Sequence, residues 1–505
     1  MAGILSSLSG AANALQTHSR SVEQTGKNIA NVNNPDYARQ RVLTGNFGSH
    51  RTSFGVDSGN LVTLGIEQVR DRFIDRQILG ERSYQSELEN REFRLRQALA
   101  NLGDNIDRAG DAQFVNDIAQ QGGGLRGAID GFFNSFEAFA ARPGDATTRQ
   151  VVVQEAKALV DTFHRVDGRF TLLGNELDQQ IEDEVGALNT RLQELQGLNR
   201  EIARMEIGKP GSALDLRDQR QAKLEEIAAS ALIEVSEVGE SLGQISLGMR
   251  DTEGGLVELV GPGKAVRELR FNQESRRFEV SGTGEELQME SGKLSALQDV
   301  RDGAITVVRE DLDRLANTLA TEVNSLYYQA YAPSRGVDPE IPESAFFQQP
   351  IPPPGAGAAE DGVTAATIEL YHRPSDPDTV LLHQPLTAES LRSSESDLAG
   401  ANDLAMAMGD LATRQFSELG NLQFSDFALR RTTELAQDIQ GVQNRMEVQR
   451  DVLEVLENRR GEVSGVSMDE EVANLVQYQR AFQASSRYFN VLSEMLDTLI
   501  NSLGR

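Results

Sequence analysis

"NIANVNNPDYARQRV", residues 28–42, is the stretch whose reading decides the fold. Ile29 and Val32 close a regular apolar spacing, and Asn33, Asn34 and Pro35 then make helix impossible. Pro35 has no N–H to donate and pushes Asn34 out of the helical region. Asn-Asn-Pro-Asp is turn chemistry. Read backwards from this stop, Ile4, Leu8, Ala11, Leu15, His18, Val22, Thr25, Ile29 and Val32 fall at alternating steps of 4 and 3. That is a heptad stripe, with small residues in it that permit close helix approach. The spacing predicts a helix over 4–32, a turn over 33–37, then extended chain.

The other end of the chain carries a matching pattern, "SGVSMDEEVANLVQYQRAFQASSRYFNVLSEMLDTLI", residues 464–500. Ser467 and Glu470 have the spacing of a capping box, and Asp469, Glu470 and Glu471 lie where the helix dipole favours acids. Leu475, Phe482, Phe489, Leu496 and Leu503 recur every seven residues, with Tyr478, Ser485, Leu492 and Leu499 as a second stripe beside them. A helix with two adjacent stripes can contact more than one neighbour.

Between the ends, Ile181, Val185, Leu188, Leu192 and Leu195 form one stripe. Ile305, Val308, Leu312, Leu315, Leu319 and Val323 form another, and Leu435, Ile439, Val442, Met446 and Leu453 a third. These predict a bundle of long helices. Residues 231–283 differ, with short alternating runs such as "LVELV" (256–260) and "RRFEV" (276–280) separated by "EGG" and "GPG", which is strand-and-turn chemistry. Residues 333–385 hold ten of the 14 prolines and read as a loop-rich insertion or a small β domain.

Charge narrows the partners. The chain has 505 residues with 49 Lys and Arg against 77 Asp and Glu, a net −28. Residues 1–50 sum to +2 and residues 464–505 to −2, so the middle holds the whole excess. Such a surface repels nucleic acid and anionic membrane. No run of apolar residues reaches the length of a membrane span, and residues 1–19 lack the basic n-region of a cleaved signal peptide. The absence of Cys excludes disulfides and thiolate chemistry.

The search for chemistry returns little. The five histidines, 18, 50, 164, 372 and 383, show no paired-ligand spacing. His372 and His383 read as loop histidines rather than a metal site, and His18 as a histidine packed on the helix stripe. "QGGGLRG" (121–127) lacks the Lys-Ser/Thr of a phosphate loop and reads as a helix break. The sequence thus points to no catalytic residue, no cofactor and no metal. The informative features are the ends. A lone amphipathic helix cannot bury its own stripe. Either both ends are loose in the monomer and fold when neighbouring subunits supply the groove, or they pair with each other inside one chain.

The two ends carry a resemblance. "NIANVNNPDYARQ" is similar to the segment Ala-Asn-x-Asn-Thr-Pro-Gly-Tyr that closes the first helix of the bacterial flagellar axial proteins. "SGVSMDEEVANLVQYQRAFQASSRYF" resembles their matching C-terminal end. "FFNSFEAFAARPGDATTRQVVVQEA" (132–156) and "DLRDQRQAKLEEIA" (215–228) are similar to segments of hook-associated members, so the likeness covers roughly residues 1–330 and 400–505. Asp36 stands where the family usually has Gly, a residue free to take positive φ.

Taken together, pattern and resemblance imply a mainly α chain with a smaller β part: terminal helices paired as an α-helical coiled coil, a central long-helix bundle and a β-rich outer segment. The segments expected are an N-terminal helix and turn at 1–50 pairing with the C-terminal helix at 464–505, a helical body at 51–230 and a β-rich segment at 231–290. A body helix at 291–332, a Pro-rich outer insertion at 333–399 and returning helices at 400–463 complete the set. The resemblance implies a structural, non-enzymatic protein that polymerises at the distal end of the flagellar hook and serves as adaptor for the filament. Its implied partners are further copies of itself in a ring, the hook protein, the next hook-associated protein and an export chaperone on the C-terminal helix, with no nucleic acid and no membrane insertion. Its implied place is extracellular, reached through the flagellar type III system without a cleaved signal peptide. The expected assembly residues are Ile4, Leu8, Ala11, Leu15, Val22, Ile29, Val32, Leu475, Tyr478, Phe482, Phe489, Leu492, Leu496, Leu499 and Leu503, with Asn31, Asn33, Pro35 and Tyr37 forming the turn. Competing readings are a hook-type or rod-type axial protein, a cytoplasmic coiled-coil scaffold, and an enzyme such as a cell-wall hydrolase carried in 231–400.

Overall fold

The N-terminal pattern forms one helix, α1 (Ala2–Ala30), and the chain turns at Asn31–Asp36 before entering strand β1 (Gln40–Phe47). The computed structural model describes residues 2–47, 50–52, 55–57, 60–103, 124–209, 211–237, 243–331, 345–348, 362–371, 386–388, 391–394 and 400–503. His372 and His383 lie outside them. The remaining helices are α2 (Arg72–Leu102), α3 (Gly124–Ala141), α4 (Ala146–Glu206), α5 (Leu214–Ser230), α6 (Lys293–Asp299), α7 (Thr306–Tyr331), α8 (Asp403–Asp410), α9 (Phe424–Ser464) and α10 (Met468–Leu503). A π-helical turn, Val300–Ile305, joins α6 to α7. The chain is mainly helical with small antiparallel sheets, as its pattern predicts.

Residues 50–68 depart from the expected helical body. They form β2 (His50–Thr52), β3 (Gly55–Asp57) and β4 (Asn60–Gln68); β4 pairs antiparallel with β1, and β2 with β3. The alternation in "NLVTLGIEQ" is a strand pattern, and the helical body begins only at Arg72. The expected β-rich segment holds two three-stranded sheets. One is β5 (Glu234–Glu237), β6 (Ile245–Arg250) and β7 (Leu256–Val260); the other is β8 (Leu269–Asn272), β9 (Arg277–Val280) and β10 (Glu286–Leu287). "EGG" makes the β6–β7 hairpin, with Gly254 at φ +85° and the Asp251 carboxylate accepting from the N–H groups of Glu253 and Gly255.

Two units divide the chain, and neither follows the expected segment boundaries. The first gathers 1–87, 182–295 and 446–505; the second gathers 88–181 and 296–445. The divisions fall inside α2, α4, α6 and α9; for the three long helices, one part of the length can serve one core and another part a second.

In the second unit, "FFNSFEAF" sets Phe132, Phe133, Phe136 and Phe139 on α3, all essentially inaccessible to solvent. Phe132 meets Phe136 edge-to-face at 5.3 Å and Phe133 stacks on Phe424 at 5.6 Å. The α7 stripe from Ile305 to Val323 closes this core, each residue at most 4% exposed. The described pieces of 333–399 carry one isolated bridge, Phe347 to Leu370, and belong to this same core. Phe346 and Phe347 are fully buried, and Asn324 of α7 pins them by accepting from both their N–H groups at 2.8 Å. These pieces are therefore core rather than an outlying insertion, because their aromatic residues fill the space over α3.

In the first unit, Val185, Leu188, Leu192 and Leu195 of α4 are buried beneath the two small sheets, whose Asn189 and Asn199 anchors bind Leu269 and Ile245 through side-chain amides. On α9, Leu435, Ile439, Val442 and Leu453 are buried and Met446 half-buried.

Candidate assembly surface

Helix α1 packs along α10 and against strands β1 and β4, all within the first unit. Its fully covered face is not the apolar stripe. Thr17, Ser21, Gln24, Thr25 and Asn28 are each 4% exposed or less; of these Thr25 belongs to the expected stripe, and Ala11 of that stripe joins it at 4%. Leu8, Leu15, His18, Val22, Ile29 and Val32 are only half-buried. Burial lowers the His18 pKa below the ordinary imidazole value. For Ile4 and Leu503 only the helical backbone is described.

A polar column can be buried only if its hydrogen bonds are met. Here they are. Thr17 Oγ1 meets Thr63 Oγ1 of β4 at 3.2 Å, Ser21 donates back to the Thr17 carbonyl, and Gln24 Nε2 donates to Gln40 Oε1 at 2.9 Å. Asn28 is the centre. Its Nδ2 donates to the Gln40 carbonyl and to Glu471 Oε2, both at 2.9 Å, and its Oδ1 accepts from the Gln40 N–H at 3.1 Å and the Tyr37 hydroxyl at 2.8 Å. The amide thus makes every hydrogen bond available to it. Helix α1, the chain after the turn and the start of α10 are tied at this one side chain. Burial, and then the nearby Asp215, Asp218 and Glu471 carboxylates, raise the Tyr37 pKa far above the ordinary phenol, so its hydroxyl stays a donor.

The turn itself is tight. The Asn34 N–H donates to the Asn31 carbonyl at 2.9 Å, the Tyr37 N–H to the Asn34 carbonyl at 3.2 Å, and Asn34 Oδ1 accepts from the Asp36 N–H. Among the described residues only Arg276 and Asn421 are non-glycine residues at positive φ. Asp36 therefore closes the turn without the left-handed backbone that Gly would permit. Its carbonyl accepts from Arg70, which also ion-pairs with Asp75 at 3.2 Å and Asp218 at 2.8 Å. One guanidinium serves two buried carboxylates, and burial drives Asp218 up to about 6 against the pull of Arg70. Arg39 closes the cluster from the other side, on Glu470 at 2.9 Å and Glu471 at 2.8 Å. Glu470, which a capping box would turn back on Ser467, here faces Arg39.

On α10, Leu492 is 7% exposed, while Leu475, Tyr478, Phe489, Leu496 and Leu499 are half-buried and Phe482 is 40% exposed. Val472, Val476, Tyr488, Val491, Met495 and Ile500, outside the expected stripe, are all exposed. A pair of helices covers one strip of each partner and leaves the flanks open. Asn28, Gln40, Arg39, Glu471, Arg70 and Asp218 were not among the expected site residues; the available signal was four amides and hydroxyls at helical spacing on one face of α1. Among the described residues no helix is long and apolar enough to cross a membrane.

Comparison with known proteins gives these ends a context. The model of the flagellar hook-associated protein FlgK helical domain matches residues 112–338, and that of the flagellar basal body rod FlgEFG protein C-terminal matches 460–503. Flagellar hook-associated protein 1 of Bacillus subtilis (strain 168) is 24% identical over 531 residues, spanning 97% of each chain. The protein of that name from Escherichia coli (strain K12) is 20% identical over 566 residues, spanning 98% of this chain and 99% of the relative. The Salmonella typhimurium relative is 24% identical over 227 residues, 45% of this chain and 38% of its own length. The structure of the flagellar hook junction protein FlgK from Burkholderia pseudomallei superposes with a TM-score of 0.56 at 13% identity, over 77% of this chain and 100% of that one, which shows a shared fold. With both flagellar models matched and two relatives aligned end to end, the chain is similar to the bacterial flagellar axial proteins, and to flagellar hook-associated protein 1 over its whole length.

Proposed function

We infer that this chain is a structural junction protein of the bacterial flagellum, polymerising on the distal end of the hook and carrying the filament. The observation that supports this most directly is the incomplete burial of the α1–α10 pair. Within one chain the two helices meet, yet their apolar stripes stay half-covered and the flanks of α10 remain apolar and exposed. Neighbouring copies that complete this cover would form the junction ring. The bound partners in this reading are the hook protein below, the next hook-associated protein above and, before assembly, an export chaperone holding α10. Export through the flagellar type III system then needs no cleaved signal peptide. The matched families are structural, and no catalytic step is proposed.

The test is electron microscopy of cells lacking the chain, with flagellin assayed in the medium. Bare hooks and shed flagellin are expected. Absent hooks would move the protein to the rod or hook, and normal filaments would return it to a cytoplasmic scaffold. The helical body favours the junction over a hook-type subunit.

A further inference from the structure

We propose that a cleft in the first unit, between the start of α2 and the α5–β5 segment, binds a peptide carboxylate on the guanidinium of Arg220. The cleft encloses about 630 Å³, within the usual range for ligand sites. Its floor is apolar, built from Leu79, Leu214, Leu224 and Ile245, none more than 8% exposed. Arg220 sits in its wall, itself only 8% exposed.

Arg220 is a buried cation without a counter-charge. Its Nη1 donates to Asn199 Oδ1 at 3.2 Å and to the Gly243 carbonyl at 2.7 Å, both neutral acceptors. Among the described residues no carboxylate is in ion-pair reach of it. The other buried arginine, Arg301, is paired with Asp178 and Asp302. The carboxylates around Arg220 are already engaged: Glu206 holds the fork of Arg217 at 2.8–2.9 Å, Glu237 pairs with Arg72, and Asp75 and Asp218 pair with Arg70. Burial, reinforced by the positive charge of Arg217, lowers the Arg220 pKa to about 10. A cation held this way gains from an incoming carboxylate, to which the planar fork donates parallel hydrogen bonds. The apolar floor selects the class of ligand. An acidic side chain flanked by aliphatic residues covers it, whereas a free oxyanion would leave it wet.

The test uses the full chain with acetyl-Val-Glu-Leu-amide, its Gln counterpart and inorganic phosphate, titrated at fixed ionic strength and followed by NMR of the arginine side chains. We expect the Glu peptide to bind about tenfold more tightly than the Gln peptide, the effect of one charge-assisted hydrogen bond. Arg220→Met should abolish that ratio and Arg200→Met, on the exposed face of α4, should preserve it. Should Arg220→Met fail to fold by circular dichroism, the rim variant Arg72→Ala/Arg76→Ala decides, with the ratio expected to fall about threefold. An unchanged ratio in the rim variant overturns the proposal. So does equal binding of both peptides, or none, which would leave Arg220 as a clamp between Gly243 and Asn199. Preference for phosphate over the Glu peptide also overturns it, in favour of a free-anion site.

Discussion

Helices α1 and α7 carry the same 4-and-3 spacing of apolar residues and use it in opposite ways. On α7 every stripe residue from Val308 to Val323 is at most 4% exposed, sealed in the phenylalanine core of the second unit. On α1 the stripe is half-covered, and the sealed face is the polar column from Thr17 to Asn28. The periodicity is a statement that a partner exists. It does not say whether the partner lies in the same chain. On α7 it does; on α1 the apolar stripe stays half-covered within the chain, while hydrogen bonds fix the helix to its own subunit. Buried polar groups are a poor source of stability and a good source of register, because each admits only one alignment.

This contrast can be broken by substitution. The largest loss of stability should come from α7: Leu315→Ala opens a cavity in a full core and should cost about 2–5 kcal/mol in thermal unfolding of the isolated chain. A loss below about 1 kcal/mol would show the core to be loosely packed. A titration should come next. Burial raises the folded pKa of Asp218 to about 6 from the ordinary 3.8, so the folded state binds its proton more tightly than the unfolded one between those values. Its contribution to stability therefore falls as pH rises from about 4 to 6 and stays low above, by about 3 kcal/mol. Asp218→Asn should flatten that slope in unfolding measured from pH 4 to 8; an unaltered slope would assign it elsewhere. Asn28→Ala leaves Glu471 and Gln40 short of partners and should cost about 1–3 kcal/mol. Amide exchange in α1 and α10 should quicken together; exchange in α1 alone would mean that Asn28 does not couple the ends. The smallest effect on the monomer should come from Leu8→Asp or Phe482→Asp, about 1 kcal/mol or less, while incorporation into hook–filament junctions is lost. A matching drop in melting of the second unit would make these ordinary core positions and remove the contrast.

Much of this was legible in sequence. Pro35 and its flanking asparagines mark the end of α1 within two residues, since a missing donor and a restricted residue are local facts. The stripes of α4, α7 and α9 are buried where the spacing put them, with Met446 of α9 half-buried, because a 3.6-residue period has only one way to form a face. Strands β2 and β3, three residues each, were hidden because so short a pair carries a weak signal, whereas the alternation of β4, which pairs with β1, was there to be read. The core role of Phe346 and Phe347 was hidden for a related reason: proline density reports on the loop, not on where two aromatics in it land.

The sequence by itself determined where the striped long helices lie, where the first helix stops, and that both ends carry more apolar surface than a lone helix can bury. Those follow from dihedral limits and periodicity, which are properties of neighbouring residues. Only the tertiary structure decided which face of α1 is sealed. Thr17, Ser21, Gln24 and Asn28 look like a solvent face in sequence, and they become an interior one because β1, β4 and Glu471 bring the matching donors and acceptors to them. Hydrogen-bond complementarity between segments 443 positions apart has no local signature.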